Sequence, residues 1–234
     1  MPGPIDYNKT ENIIAPRLWP WTVRWYLLKK SIADAILVAS PVLKGKILDV
    51  GCGSKPYKKL LSSEDYIGID IATSTHNSCA FDKVFDGVNI PYEDQFFDNV
   101  ICTEVLEHAA DPVRLMSEIK RVLKPGGHAL ITVPMVIEHH EIPYDRRRFT
   151  VYGLQDLVAN DGLDIIWIKS RGNFIAVLVY MLYFSLEQII SKRPFIDIIF
   201  YLLFPFTFFL LKADKLIRKN PPTISLGWQM LIKK

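Results

Sequence analysis

The stretch Ile47-Leu48-Asp49-Val50-Gly51-Cys52-Gly53-Ser54-Lys55-Pro56 decides the fold. A short apolar run enters two glycines spaced by one residue, the pattern of a buried strand, a tight turn and then a helix. Glycines at such a turn let backbone N–H groups and a helix start approach a ligand closely. A dinucleotide fingerprint would place a third glycine at position 56, for helix-to-strand packing beside a pyrophosphate, and the sequence has Pro56 there. Asp49 would repel a diphosphate and welcome a cationic or amine-bearing ligand.

Further strand, turn and helix units follow. Residues 66–70 read as a second strand ending in Asp70, nineteen residues after Gly51, where a carboxylate can accept hydrogen bonds from both ribose hydroxyls of a nucleoside. Residues 98–103 are a short apolar run. Residues 111–123 have a helical period, with Pro112 at the first helical position and Gly126-Gly127 beyond the end. Residues 128–133 form the next strand, 151–160 a helix opened by Thr150, 164–168 a strand and 224–232 a last strand. This alternation predicts an α/β fold: a mostly parallel sheet with helices on both faces. Upstream, Trp19, Trp21, Trp25 and Tyr26 accompany a helix over about 22–39 that stops before Pro41,. It is expected to pack on the core.

The length of 234 residues allows one large domain or one domain with an elaboration,. Half the residues are hydrophobic and the mean hydropathy is +0.15, too apolar for a disordered linker. The net charge of +3 hides an asymmetry. Residues 1–164 carry 18 basic and 22 acidic side chains, whereas 165–234 carry 10 and 3. In the second part residues 174–184 are eleven consecutive apolar residues, and 198–211 are interrupted only by Pro205 and Thr207. Basic residues among long apolar runs point to a membrane surface and not to nucleic acid. Cys52, Cys79 and Cys102 lack metal-ligand spacing, no metal is expected, and the amino-terminal residues do not read as a signal peptide. The expectation is a reduced, cytoplasmic chain.

Taken together, Asp49-Val-Gly-Cys-Gly53, Asp70, Asp86-Gly-Val-Asn-Ile-Pro91, Phe97-Asp98-Asn-Val, Glu104-Val-Leu-Glu107-His108 and Arg121-Val-Leu-Lys-Pro-Gly-Gly127 resemble the class I S-adenosylmethionine-dependent methyltransferases, type 11 branch. The resemblance covers residues 46–170 and implies a Rossmann-like fold with S-adenosylmethionine as cofactor. It implies that Asp49, Gly51 and Gly53 hold the aminoacyl end, that Asp70 with Ile71 binds the ribose, and that Asp86 and Gly87 border the adenine. Glu104 would face the methionine and substrate side. A sulfonium ligand carries positive charge and no phosphate, so carboxylates can line its pocket.

Residues 140–150, His-Glu-Ile-Pro-Tyr-Asp-Arg-Arg-Arg-Phe-Thr, follow the fifth strand at the sheet edge where open α/β folds bind substrates,. They are similar to a segment of branch members thought to modify surface sugars and lipid-linked glycans. His140 would take a proton from a hydroxyl and Asp145 would orient it or bind a sugar, with His108 a second catalytic candidate. Tyr144, Arg146 and Arg148 are the substrate-binding candidates, the arginines favouring an anionic group.

The expected division is an amino-terminal segment 1–44, a methyltransferase domain 45–172 with 220–234, and an apolar helical hairpin insertion 173–219. Segments 174–190 and 195–211 have 17 residues each, about 26 Å of helix against a hydrocarbon core of about 30 Å. Two spans would also carry Lys192 and Arg193 across the bilayer, against the positive-inside tendency. Pro205 is expected to break a straight second helix. The preferred reading is a monotopic hairpin on the inner face of the membrane, with residues 212–219 against anionic headgroups; a buried helical pair or homodimer interface is the competitor. The expected function is O-methylation of a glycan or lipid-linked envelope precursor, the alternatives being a quinone or isoprenoid-lipid methyltransferase and a non-catalytic cofactor-binding membrane subunit.

Overall fold

The structure, a computed structural model, describes residues 17–72, 80–159, 161–190, 193–214, 216 and 223–234. Cys79, Lys192, Lys215, Arg218 and Lys219, on which expectations were placed, lie outside the described residues. The chain divides into two compact units, one from 1–33 and 170–226 and the other from 34–169 and 227–234. These boundaries differ from the expected ones, because the described residues up to 33 cluster with the apolar carboxy-terminal helices and not with the sheet.

The sheet unit holds β1 (Ile47–Val50), β2 (Tyr66–Ile71), β3 (Lys83–Phe85), β4 (Phe97–Thr103), β5 (Leu123–Pro134), β6 (Asp164–Ser170) and β7 (Gly227–Lys233), in the order β3-β2-β1-β4-β5-β7-β6. β1, β2, β3, β4 and β5 are parallel and β7 runs antiparallel to β5, pairing Thr132 with Gln229. Every residue of β1 is buried, as a central strand covered on both faces requires. The short edge strand β3 was not anticipated, because Lys83 and Val84 are exposed and three residues show no resolvable period.

Helix α2 (Pro112–Val122) starts where Asp111 accepts a hydrogen bond from the Arg114 N–H at 3.0 Å, a side-chain cap that satisfies one orphan donor. Leu115, Met116, Ile119 and Val122 give it one buried stripe, and it packs against β5 and α3 (Val151–Ala159). Thr150 opens α3 by accepting from the Gly153 N–H at 3.1 Å. The helix expected after Gly53 is absent: residues 51–65 contain turns and a 3-10 turn, Lys58–Leu60. Lys55 has φ 55°, a left-handed conformation, and Pro56 disfavours helical geometry in the residue before it. The chain therefore cannot enter a helix directly from the glycine turn.

The other unit contains most of α1 (Val23–Ala39), with α4 (Phe174–Ile189) and α5 (Arg193–Asp214). α4 and α5 pack together, with the Tyr183 and Phe200 rings 4.6 Å apart and the Tyr183 hydroxyl 3.1 Å from Thr207 Oγ1. Asp214, at the end of α5, accepts from the Asn173 and Ala176 N–H groups at the start of α4 at 3.0 and 3.1 Å. Start and end of the pair are thus fastened to each other, and the chain returns to where it left. Arg24 is ion-paired with Glu187 and lies over the Tyr180 and Phe184 rings. Pro205 does not break α5, which runs unbroken through it; the missing N–H removes one helix hydrogen bond, while packing of the neighbouring Phe200 and Thr207 on α4 holds both halves. With 22 residues α5 is about 33 Å long,, so the length argument against a span does not hold for it. Among the described residues it is the one helix long and apolar enough to cross a membrane, while α4 is shorter.

Candidate active site

The strand order reverses between β1 and β4, and ligands of open α/β sheets bind outside the carboxyl ends of the strands at that point. The ends of β1, β2 and β4 bring Asp49, Asp70 and Glu104 to one edge. Gly51 has φ +66°, and a Cβ there would stand 2.4 Å from Val105 Cγ2. Only glycine lets the turn close against the segment that follows β4. Gly53, with φ 51°, donates its N–H to Asp70 at 2.8 Å. Asp70 also accepts from the Ile71 N–H at 2.8 Å, so this carboxylate ties the glycine turn to the end of β2.

Asp49 is 1% exposed, and its Oδ1 has no hydrogen-bond partner. The Tyr66 hydroxyl donates to the other oxygen. Burial pushes the Asp49 carboxyl up to about 7, and the Asp70 carboxylate adds to the rise against the opposing Tyr66 bond. Glu104, at φ 56°, accepts from Thr132 Oγ1 at 2.8 Å. Carboxylates from three strand ends thus gather at one edge, and one of them keeps a buried oxygen without a hydrogen-bond partner. A cation with hydrogen-bond donors fits this region; a pyrophosphate does not.

Ile71 flanks the same edge, 3.6 Å from where a Cβ of Gly87 would stand. Gly87 has φ +87°. The Asp86 carboxylate is engaged in its own turn, accepting from the Val88 and Asn89 N–H groups and from Asn89 Nδ2.

Between β5 and α3, residues 135–150 form a loop. It brings His140 against His108, whose Nε2 atoms lie 3.1 Å apart. Asp145 is held by Arg148 and accepts from the His140 N–H at 3.1 Å. The Arg148 bond keeps the Asp145 carboxyl well below the usual carboxylate range. Arg148 also donates to the Glu138 carbonyl at 3.1 Å. Its guanidinium is therefore committed to the loop, which departs from the expected substrate contact. Arg147 donates to the Ala109 and Ala110 carbonyls. Arg146 is exposed and makes no side-chain hydrogen bond or ion pair with another described residue, and Tyr144 is half exposed. These two remain available to a ligand.

Sequence reasoning passed over Glu107. Its side chain is fully buried, neither oxygen has a hydrogen-bond partner, and Oε1 lies 3.6 Å from His140 Nε2 and 3.7 Å from His108 Nε2. Burial pushes this carboxyl up to about 7. The signal was present in Glu104-Val-Leu-Glu107-His108, where two acids and a histidine stand within five residues.

Residues 48–131 match the family model described as a methyltransferase domain. The chain is 42% identical over 95 residues to the tRNA (carboxymethyluridine(34)-5-O)-methyltransferase of Arabidopsis thaliana, an overlap covering 37% of this chain and 23% of that protein. It is 29% identical over 100 residues to the ubiquinone biosynthesis O-methyltransferase of Photorhabdus laumondii, covering 37% and 42%. The chain thus spans less than half the length of these curated relatives. Among solved structures, a chain in the complex of the Haloferax volcanii Trm112 methyltransferase activator with its methyltransferase superposes with a TM-score of 0.50 at 26% identity, covering 60% of this chain and 71% of that one. Matched residues, sheet order and a carboxylate-lined switch point agree: residues 48–131 match a methyltransferase domain, and the fold that holds them is that of the class I S-adenosylmethionine-dependent methyltransferases.

Proposed function

We propose that the protein transfers the methyl group of S-adenosylmethionine to a hydroxyl oxygen of a lipid-borne acceptor at a membrane surface. The observation that carries the cofactor assignment is the buried Asp49 carboxylate, one oxygen of which lacks a partner, beside a turn that glycine alone allows. In this reading Asp49, Gly51 and Gly53 hold the aminoacyl end. Asp70, which accepts from the Gly53 and Ile71 N–H groups, meets the ribose hydroxyls. Ile71 flanks the ribose beside Asp70, and Asp86 and Gly87 border the adenine. Glu104, fixed by Thr132, faces the sulfonium side.

When bound, the cofactor supplies an electrophilic methyl: the new O–C bond forms as the S–C bond breaks, and the electron pair stays on sulfur. The chain contributes alignment in a dry pocket. The Glu107, His108 and His140 cluster handles the hydroxyl proton, with Asp145 orienting His140 through its backbone N–H. Arg146 and Tyr144 border the acceptor.

The membrane part rests on α4 and α5, which leave Leu178, Leu182, Tyr201, Leu202, Phe206 and Phe209 among their exposed side chains. Apolar surface of that extent calls for a lipid or protein partner. Lys212 closes α5, where a cation meets anionic headgroups. The name of the ubiquinone relative supports an isoprenoid phenol as acceptor; the arginine-bearing loop supports a phosphate-linked glycan. Radiolabelled methyl transfer from S-adenosylmethionine into a membrane lipid extract tests the proposal, with a synthetic demethyl-quinone, a polyprenyl-phosphate glycan and total tRNA as separate acceptors. Label in either lipid acceptor supports the reading and names the class. Label in tRNA alone, or cofactor binding without transfer to any acceptor, overturns it.

A further inference from the structure

We propose that Glu107, His108 and His140 form a binding site for a divalent first-row transition-metal ion beside the cofactor cleft. The inference deepens the methyl-transfer reading and rests on it only for the ion's use, not for its binding. The three side chains each offer one ligand atom, and these atoms lie within 4.8 Å of one another. The atoms are Glu107 Oε1 and the two Nε2 nitrogens, with separations of 3.1, 3.6 and 3.7 Å. Metal–nitrogen bonds of about 2.0–2.1 Å at angles of about 90–110° place two ligand nitrogens of one ion about 2.9–3.4 Å apart. The histidine pair already meets that spacing, and the carboxylate needs to shift by only a few tenths of an ångström.

The far side of each imidazole supports the same assignment. His108 Nδ1 faces the Tyr144 carbonyl at 3.3 Å, and His140 Nδ1 faces the Asp145 carboxylate at 3.5 Å. The Tyr144 contact favours a proton on His108 Nδ1, the arrangement by which a carbonyl orients a metal-bound histidine, while the Asp145 carboxylate faces His140 Nδ1 without a hydrogen bond. His108 Nε2 then presents a lone pair toward His140 Nε2 and toward a fully buried carboxylate whose oxygens have no hydrogen-bond partner. The three ligand atoms converge on one point, and a buried unpaired carboxylate costs several kcal/mol. A cation at that point removes the penalty. Two imidazoles and one carboxylate suit zinc, manganese, iron or cobalt better than magnesium, which prefers oxygen. Three protein ligands leave coordination positions for water or for an acceptor oxygen. His108 follows β4, while His140 comes from the loop after β5, so an ion would also fasten that loop to the sheet edge.

The test is titration of the detergent-purified full chain, stripped with a chelator, with Co2+ followed by its visible absorption and with Zn2+ by calorimetry. S-adenosylmethionine binding is measured on the same preparation. One ion per chain is expected, with at least tenfold weaker binding in each of Glu107→Gln and His140→Ala. Retained S-adenosylmethionine binding in those variants reports that the fold is intact. Absence of saturable Co2+ and Zn2+ binding, or binding that neither substitution alters, overturns the site even where the cofactor still binds; Mg2+ binding alone does the same. Loss of S-adenosylmethionine binding by the unsubstituted chain overturns the cofactor reading and leaves the metal result standing by itself.

Discussion

Replacing Asp49 by Asn separates the cost of a buried charge from its use. The carboxyl rises from 3.8 to about 7 in the folded chain, mainly through burial. A folded-state value above the unfolded one means that the native state holds its proton longer. The associated stability is present below the unfolded value and lost as pH rises toward 7. At about 1.36 kcal/mol per pH unit, keeping the native carboxylate costs about 4 kcal/mol at pH 8 and under about 2 kcal/mol at pH 5. The side chain is 1% exposed, so solvent screening does not reduce this. The Asn carbonyl can still accept from Tyr66, but its NH2 takes the place of an oxygen without a partner, at roughly 1–3 kcal/mol at either pH. The diagnostic is therefore the pH slope and not the absolute stability. Thermal unfolding of both proteins in detergent at pH 5 and pH 8 is expected to show wild type losing about 5–10 °C relative to the variant between those values, at roughly 2–4 °C per kcal/mol. The same substitution is expected to weaken S-adenosylmethionine binding at least about thirtyfold, the roughly 2 kcal/mol of a charged hydrogen bond. Parallel pH slopes in the two proteins would refute the reasoning.

Gly51→Ala is expected to destabilise the sheet unit by about 1–3 kcal/mol through overpacking on Val105,. Adding Val105→Ala should recover part of that and leave the left-handed backbone penalty, which a double-mutant cycle in urea reads directly. Arg148→Met strips Asp145, whose side chain is 2% exposed, of its charged partner and should cost about 2–3 kcal/mol of stability; a change below about 0.5 kcal/mol, the usual size for an exposed site, would contradict the assigned pairing. Arg146→Ala is expected to stay within that smaller range while weakening an anionic acceptor, visible as a raised KM. On the helical unit, Phe206→Asp together with Phe209→Asp should abolish flotation with anionic lipid vesicles if α5 rests in the bilayer, and unchanged flotation would remove that surface from the contact.

Strand identity and order of elements were legible because β1, β4 and β5 are apolar runs bounded by glycines, prolines and acids, which are local signals. Asp70 was legible for the same reason, as an acid placed at a strand end by the length of one strand-turn unit. The helix after Gly53 was misread: the pattern resembles other nucleotide folds, but Lys55 and Pro56 redirect the backbone within two residues. Arg148 was read as free because sequence shows a charge and not its partner, whereas the loop folds it back onto Asp145. Pro205 was overweighted, since a proline's cost is local and packing between two apolar helices can offset it.

The sequence by itself determined the alternation of strand and helix, the acids at the strand ends and the apolar character of residues 174–184 and 198–211, all of which depend on residue type and short-range spacing. Only the tertiary structure decided that Glu107, His108 and His140 converge, that Asp49 keeps an unpartnered oxygen, and that Arg146 and not Arg148 is left available. Those outcomes depend on burial and on contacts between residues as far apart as His108 and Tyr144, where the free energy of a charge is set by what else fills the space around it and not by its neighbours along the chain.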